Sequence, residues 1–146
     1  MKKSELRDYF IKERFNLSYQ EINIKTAEIL KILVEKFDLK EKKICCYLPI
    51  KSKKEINTFQ LLELSKELNF EFISTKWDTI DNRLSVYKIT DKHDLQINSF
   101  DIPEPKSTIK QIHIKEIDII VVPLLAFDLN GNRVGYGKGV YDRFLK

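Results

Sequence analysis

Glycine is scarce in this sequence, and none occurs before position 131. The four glycines of the 146-residue chain, Gly131, Gly135, Gly137 and Gly139, all lie in the stretch "GNRVGYGKG". Glycine permits positive φ angles and close approach to the backbone, but inside regular elements it costs roughly 0.5–1 kcal/mol relative to alanine. The concentration therefore predicts a loop whose backbone conformation other residues adopt poorly.

Cysteine and long apolar runs are also scarce. The two cysteines, Cys45 and Cys46, are adjacent in the apolar run "ICCYLPI", which predicts small core side chains rather than a disulfide framework or a metal site. No apolar run approaches the ~20 residues needed to cross a bilayer, and the N-terminal segment lacks the apolar stretch of a signal peptide. We therefore expect a cytoplasmic protein without a membrane partner.

A dense basic stripe is absent, although the net charge is +4. Residues 1–54 carry 14 Lys and Arg against 8 Asp and Glu, but the two signs are interleaved. A nucleic-acid binder would cluster basic residues with stacking aromatics, so no nucleic-acid partner is expected. The length and the 42% hydrophobic content predict one soluble domain over residues 1–146, which we expect to be a monomer.

Two helices are predicted at the start of the chain. Apolar residues, Tyr9 among them, recur at helical spacing and predict an amphipathic helix over residues 2–15. Ser18 is followed three positions later by Glu21, a capping-box pattern that predicts a second helix ending near Phe37.

The rest of the pattern predicts an α/β fold. "KICCYLPI" and "FEFIS" predict buried parallel strands, with a helix "FQLLELSKELNF" between them that is capped by Thr58. "RLSVYKI" predicts a half-exposed strand and "IDIIVVPLLAF" a fully buried one, whereas Pro103 and Pro105 predict a loop in "DIPEPKS". We expect an open, mostly parallel sheet with helices on both faces, formed by N-terminal helices over residues 2–37 and by the sheet and glycine loop over residues 43–146.

The glycines follow the last predicted strand and precede the predicted helix start "VYDRFLK". Ligands of open α/β sheets bind beyond the carboxyl ends of the strands, and helix N-termini favour anions. With Arg133 and Lys138 among the glycines, this predicts a phosphate-binding loop, although the spacing fits neither the Walker motif nor the dinucleotide fingerprint. A hairpin turn around "NGN" is the structural alternative. Asp142 is either a ligand of Mg²⁺ or a first-turn carboxylate stabilised by the helix dipole.

The whole segment "IDIIVVPLLAFDLNGNRVGYGKGVYDRFL" resembles the signature of the 5-formyltetrahydrofolate cyclo-ligases, also called methenyltetrahydrofolate synthetases. Three further pieces are similar and occur in the family's order, namely Lys3, Leu6 and Arg7, then "YLP" followed by "EINT", then "IPEP". The resemblance implies ATP-dependent, Mg²⁺-requiring conversion of 5-formyltetrahydrofolate to 5,10-methenyltetrahydrofolate. The formyl oxygen would accept the γ-phosphoryl group, N10 would attack, and phosphate would leave as the ring closes.

The resemblance also implies roles for individual residues. Lys3 and Arg7 would reach the ATP phosphates, with Lys138 and Arg133 stabilising the transferring charge and Asp142 holding Mg²⁺. The residues that would wrap the nucleotide are Arg133, Val134, Gly135, Tyr136, Gly137, Lys138, Gly139, Val140 and Tyr141. The residues that would contact the folate are Leu48, Glu55, Tyr136, Gly137, Lys138, Gly139 and Val140, with Glu55 accepting hydrogen bonds from the pterin.

The sequence departs from the family's pattern at three places. Val140 stands where the family often has a tyrosine, and the segment between Leu48 and Glu55 is longer than usual. Members normally continue beyond the position of Lys146 with further sheet and a second metal-associated acidic residue, so this chain is expected to lack C-terminal elements. A non-catalytic nucleotide- or folate-binding relative is therefore the alternative. The basic excess suits either a polyglutamylated folate tail or a solvated helical face.

Overall fold

The computed structural model describes residues 2–146 and has an α/β architecture. The helices α1 to α4 are Lys3–Asn16, Tyr19–Lys36, Phe59–Leu64 and Val140–Phe144. The strands β1 to β9 are Lys43–Cys46, Glu71–Asp78, Arg83–Ile89, Leu95–Ile97, Pro103–Pro105, Gln111–Ile112, Ile119–Val121, Ala126–Phe127 and Arg133–Val134. Within residues 2–146, every helix is too short or too polar to cross a membrane.

The first two helices lie close to their predicted bounds. At the start of α2, the Ser18 hydroxyl accepts a hydrogen bond from the Glu21 amide (3.2 Å), and the Glu21 carboxylate accepts one from the Ser18 amide (2.7 Å). The predicted capping box is therefore confirmed. The prediction for α1 is only partly right, because Tyr9 is 51% exposed and does not belong to a buried face.

The central sheet has the strand order β6-β3-β2-β1-β7. Strand β1 runs parallel to β2 and β7, while β3 and β6 extend the sheet with antiparallel pairs. Because successive side chains of a strand point to opposite faces, Ile44 and Cys46 pack with residues of α2 and α3, whereas Cys45 packs on the other side near Phe144 of α4. Helices cover both faces, so the predicted fold class is confirmed.

The cysteines are core side chains, as predicted. Both are free thiols buried in β1. Burial raises the pKa of Cys45 to about 12, because the charged thiolate is poorly solvated inside the protein. This thiol therefore remains neutral near pH 7.

Helix α3 begins at Phe59 as predicted, but the predictions of its side-chain cap and of its C-terminal end are wrong. The Thr58 side chain does not cap the helix, since its hydroxyl donates instead to the Tyr47 carbonyl (2.6 Å). The helix ends at Leu64, so the predicted helical segment "KELNF" lies outside it, and turns follow. The Ser65 hydroxyl donates to the Leu62 carbonyl (2.7 Å), the kind of local bond by which serine competes with helix continuation.

Two strand predictions also need correction. The proline-containing segment is predicted to be a loop, but Pro103–Pro105 forms β5, which pairs with β4 in a separate two-stranded sheet. Prolines are tolerated there because an edge strand need not donate every backbone hydrogen bond. "IDIIVVPLLAF" is expected to be a fully buried strand, but only Ile119–Val121 forms one, β7, and it is half-buried. Within the described sheet, β7 has β1 as its one neighbour. Pro123 follows the strand and has no backbone N–H to donate.

Candidate functional site

The first glycine belongs to a hairpin turn. Strands β8 and β9 pair antiparallel, and the Asp128 carboxylate between them accepts hydrogen bonds from the amides of Asn130 and Asn132 (both 2.9 Å). The hydrogen bond from the Asn132 side chain holds the pKa of Asp128 below its ordinary value. Gly131 has φ +80°, which this turn requires. The hairpin alternative is therefore right for "NGN".

The other three glycines form a distinct segment, residues 135–139, which we call the glycine loop. It leads from β9 into α4, and Gly139 caps that helix with φ +62°. Gly137 has φ +99°, and a Cβ atom there would lie 3.3 Å from the Cζ atom of Arg7. Two of the loop glycines are therefore required by positive φ angles, and at both of them a side-chain atom lies 3.3 Å from the Cβ position.

Helix α1 presents its arginines to this loop. The Nε atom of Arg7 donates to the Gly135 carbonyl (3.0 Å). Arg14, two turns later, donates from Nη1 to the Tyr136 hydroxyl (2.6 Å) and from Nη2 to the Leu124 carbonyl (2.8 Å). Arg7 and the glycine loop, to both of which the resemblance assigns contacts with the nucleotide, thus lie side by side in the structure. Lys3 is exposed one turn before Arg7, on the same side of the helix.

A buried carboxylate meets the loop from the segment after β1. Glu55, 8% exposed, accepts hydrogen bonds from the Tyr136 hydroxyl at Oε1 and from the Ile50 amide at Oε2, both 2.8 Å long. Burial and, next, the nearby Glu55 carboxylate raise the pKa of Tyr136, so the phenol stays protonated. The Nζ atom of Lys53 lies 4.6 Å from the centre of the Tyr136 ring. Leu48, by contrast, packs in the hydrophobic core at 6% exposure.

Arg14 is a site residue that sequence reasoning did not find. Its contact with Tyr136 joins residues 122 positions apart, which local spacing cannot reveal. One signal was available, because residues seven apart lie on the same face of a helix and the resemblance already assigns Arg7 to the site. A basic residue two turns from Arg7 was therefore a candidate for the same surface.

The charged side chains on the far side of the loop have partners within the protein. Arg133 donates from Nη2 to Oδ1 of Asp142 (2.6 Å), and the Asp142 side chain is 71% exposed. The Nζ atom of Lys138 lies 4.5 Å from the centre of the half-buried Trp77 ring. Arg143 donates to the Lys138 carbonyl (3.0 Å), which ties α4 to the loop.

The residues that flank the loop are largely structural. The hydroxyls of Tyr141 and Thr75 are 3.1 Å apart, and the Tyr141 ring packs edge-on against Phe144. Burial raises the pKa of Tyr141, so this phenol is also neutral. Val134 pairs with Ala126 in the hairpin. Val140 is the first residue of α4.

Metal-ligating side chains do not form a cluster in the described part of the chain. Among residues 2–146, no group of three or more His, Cys, Asp or Glu side chains is placed to hold a metal ion. At the loop, the Asp142 carboxylate therefore does not belong to such a group. Mg²⁺ commonly binds in this way, through one or two carboxylates together with substrate phosphates and water.

The structure defines an α/β protein in which a glycine loop is backed by an arginine of helix α1. Comparison with known proteins identifies the family. Residues 1–146 match the family described as 5-formyltetrahydrofolate cyclo-ligase, and the chain belongs to that family. It is accordingly an enzyme of the cyclo-ligase type.

Three similar proteins illustrate the match. The probable 5-formyltetrahydrofolate cyclo-ligase of Schizosaccharomyces pombe is 31% identical over 99% of this chain and 72% of its own length. The mitochondrial 5-formyltetrahydrofolate cyclo-ligase of Arabidopsis thaliana is 31% identical over 72% of this chain and 43% of its own length. The solved structure of Aquifex aeolicus 5,10-methenyltetrahydrofolate synthetase is 34% identical, with a TM-score of 0.82 over 99% of this chain and 72% of that one.

Proposed function

We propose that this chain converts 5-formyltetrahydrofolate to 5,10-methenyltetrahydrofolate with consumption of ATP and release of ADP and phosphate. One observation carries the proposal. The glycine loop, a segment suited to phosphate, reaches through Tyr136 to the buried Glu55 carboxylate, with 2.8 Å between the two oxygens. A nucleotide on the loop and a pterin on Glu55 would therefore be neighbours, as phosphoryl transfer between them requires.

The nucleotide would bind the glycine loop. Phosphate oxygens could come close to the backbone there, because no residue apart from the two chain neighbours of Gly135 is found within 4 Å of the place where its Cβ atom would stand. Arg7 is already in contact with the loop, and Lys3 on the same side of α1 would add a second cation. Lys138 would neutralise the charge that develops on the transferring phosphoryl group, for which it would leave the Trp77 ring.

Asp142 is the residue that would hold Mg²⁺, which would supply charge neutralisation at the phosphate oxygens when bound. Arg133 pairs with Asp142 in the present structure. Because the Asp142 side chain is 71% exposed, the pair is readily exchanged for other partners. We propose that Arg133 then faces phosphate oxygens, which its planar guanidinium can bind in a bidentate manner.

The folate would be recognised by Glu55. An ionised carboxylate only accepts hydrogen bonds, and the pterin ring offers adjacent N–H donors. Leu48 is a core side chain with 6% exposure, so it would offer the folate apolar contact only through that small exposed part. We also propose that the tail of a polyglutamylated substrate runs over the basic turn Lys51–Lys53, which lies beside Tyr136. A lower KM for the pentaglutamate than for the monoglutamate, abolished in a Lys51→Ala/Lys53→Ala variant, is the expected result.

The chemistry proposed for the chain's own residues is placement and charge neutralisation. The formyl oxygen becomes a leaving group when it accepts the phosphoryl group, and N10 of the same molecule then closes the ring as phosphate departs. The negative charge of the phosphate groups would be stabilised by the loop amides and by Arg7, Lys138 and Arg133. Glu55 would hold the pterin in place. No protein nucleophile is needed.

The experiment is formation of 5,10-methenyltetrahydrofolate, followed by its absorbance, with this chain, Mg-ATP and 5-formyltetrahydrofolate. Lys138→Ala should lower kcat about a hundredfold or more, by analogy with the loss of one charge-stabilising group. Lys115→Ala, at an exposed lysine outside the site, is the matched control and should keep full activity. Nucleotide binding without turnover would contradict the proposal and favour the non-catalytic alternative.

We further propose that the chain is a cytoplasmic monomer without nucleic-acid partners. Light scattering at micromolar concentration is expected to give the mass of one chain, 17.3 kDa. A dimer mass, or salt-sensitive binding to DNA, would contradict this.

A further inference from the structure

Three side chains from distant parts of the sequence form one hydrogen-bond network. Arg14 of α1 donates to the Tyr136 hydroxyl of the glycine loop at 2.6 Å. That hydroxyl donates to Glu55 at 2.8 Å. This hydrogen-bond network therefore joins helix α1, the glycine loop and the segment after β1 at one point.

The chemical groups determine which atom donates and which accepts in each hydrogen bond of this network. A guanidinium group has donors and no acceptor, so the Tyr136 oxygen accepts from Arg14. The single hydroxyl proton of Tyr136 is then directed to Glu55. Burial and the Glu55 carboxylate raise the pKa of Tyr136, which keeps that proton in place at neutral pH.

The Glu55 carboxylate is held at both oxygens. Tyr136 donates to Oε1 and the Ile50 amide donates to Oε2, both at 2.8 Å. A carboxylate has about four lone-pair sites, so each oxygen keeps accepting capacity for another donor. At 8% exposure, the side chain has little freedom to turn away from this orientation.

We infer that Arg14 is a positioning residue for folate binding, which acts through the Tyr136 hydroxyl to hold Glu55 in the orientation that receives the pterin donors. The inference rests on the proposed function, because it takes Glu55 as the folate acceptor. Arg14 itself contacts neither ligand in this account. Both hydrogen bonds of the Tyr136 hydroxyl have a charged partner, Arg14 in one and Glu55 in the other. They are therefore stronger than hydrogen bonds between neutral groups.

A purely structural role for Arg14 makes a different prediction. Its second bond, from Nη2 to the Leu124 carbonyl, clamps α1 to the chain that enters the β8–β9 hairpin. If that clamp were its whole role, loss of Arg14 would weaken binding whether or not the Tyr136 hydroxyl is present. If Arg14 acts through the hydroxyl, its loss has no further effect once the hydroxyl is gone.

The test is a double-mutant cycle on the dissociation constant of 5-formyltetrahydrofolate, measured by calorimetry. Arg14→Gln and Tyr136→Phe should each weaken binding about tenfold, and the double variant should be no weaker than either single one. The dissociation constant of a non-hydrolysable ATP analogue should change by less than about twofold, since the loop backbone is retained. Arg14→Lys, which keeps a donor, should recover part of the affinity.

Matched controls use the same helix. Lys12→Gln and Tyr9→Phe change exposed side chains of α1 by the same chemistry and should leave both dissociation constants unchanged. Circular dichroism confirms that each variant is folded. Additive losses of about a hundredfold, an equal loss of ATP-analogue affinity, or no loss at all would overturn the positioning role alone. A wild-type chain that fails to bind 5-formyltetrahydrofolate would overturn the proposed function and the positioning role together.

Discussion

At the scale of single residues, the site depends on contacts that local sequence spacing cannot show. Gly137 and Arg7 could be assigned to one site because both belong to motifs that resemble those of a known family, and the structure places Arg7 against the glycine loop. The bond between Tyr136 and Glu55 spans 81 positions, and the bond from Arg14 spans 122. Such pairs are determined by how α1 and the glycine loop pack, so no periodicity in the sequence indicates them.

Gly137 provides a test of the loop's backbone. Alanine there would require a left-handed conformation, at a cost of roughly 1–2 kcal/mol for an L-residue. Its Cβ atom would also lie 3.3 Å from Arg7. We expect Gly137→Ala to weaken binding of an ATP analogue about tenfold, as measured by calorimetry. Gly131→Ala is the control and should leave this binding unchanged, because its φ of +80° imposes a similar backbone cost but the residue lies in the hairpin turn, outside the glycine loop. Equal effects of the two substitutions would contradict this explanation.

At the scale of elements, the sequence predicts best where local chemistry decides the structure. The start of α2 was predictable because Ser18 and Glu21 satisfy each other's backbone amides without help from distant residues. Strand β5 was not, because Pro103–Pro105 depends on its partner β4 for its conformation. The same holds for β7, whose length is set by pairing with β1 and by Pro123 rather than by its apolar composition.

The capping box of α2 predicts a pH dependence of stability. The hydrogen bond from the Ser18 amide, first among its causes, lowers the pKa of Glu21. Because the folded-state pKa lies below the unfolded one, about 4.3, the contribution is complete above that pH and is lost as the pH falls through the folded pKa. The difference in urea midpoint between wild type and Glu21→Gln should therefore shrink below about pH 4. A difference that stays constant down to about pH 2 would contradict the assignment.

Removing the Ser18 hydroxyl tests the second hydrogen bond of the capping box, the one from the Glu21 amide to that hydroxyl. Ser18→Ala should lower the free energy of unfolding by about 1 kcal/mol, the usual value for an N-cap serine. Ser107→Ala, in an exposed loop, is the control and should lie within about 0.5 kcal/mol of wild type. Urea unfolding measures both, and an equal loss in the two variants would show that the cap contributes nothing specific.

At the scale of the whole molecule, we propose that residues 1–146 form a single domain. The two core clusters lie on opposite faces of one sheet and share its strands, so neither can be lost without the other. Urea unfolding followed by Trp77 fluorescence and by far-ultraviolet circular dichroism should give coincident, two-state transitions. Separate midpoints would indicate that the N-terminal helices and the sheet unfold independently.

The most direct measurement of the central claim uses the scarcity of glycine itself. Labelling with ¹⁵N-glycine gives one backbone amide signal for each of Gly131, Gly135, Gly137 and Gly139. On addition of Mg²⁺ and a non-hydrolysable ATP analogue, the signals of Gly135, Gly137 and Gly139 should shift, while that of Gly131 in the hairpin turn should remain in place. Saturated nucleotide binding with the three loop signals unmoved would contradict the assignment of the glycine loop to the nucleotide.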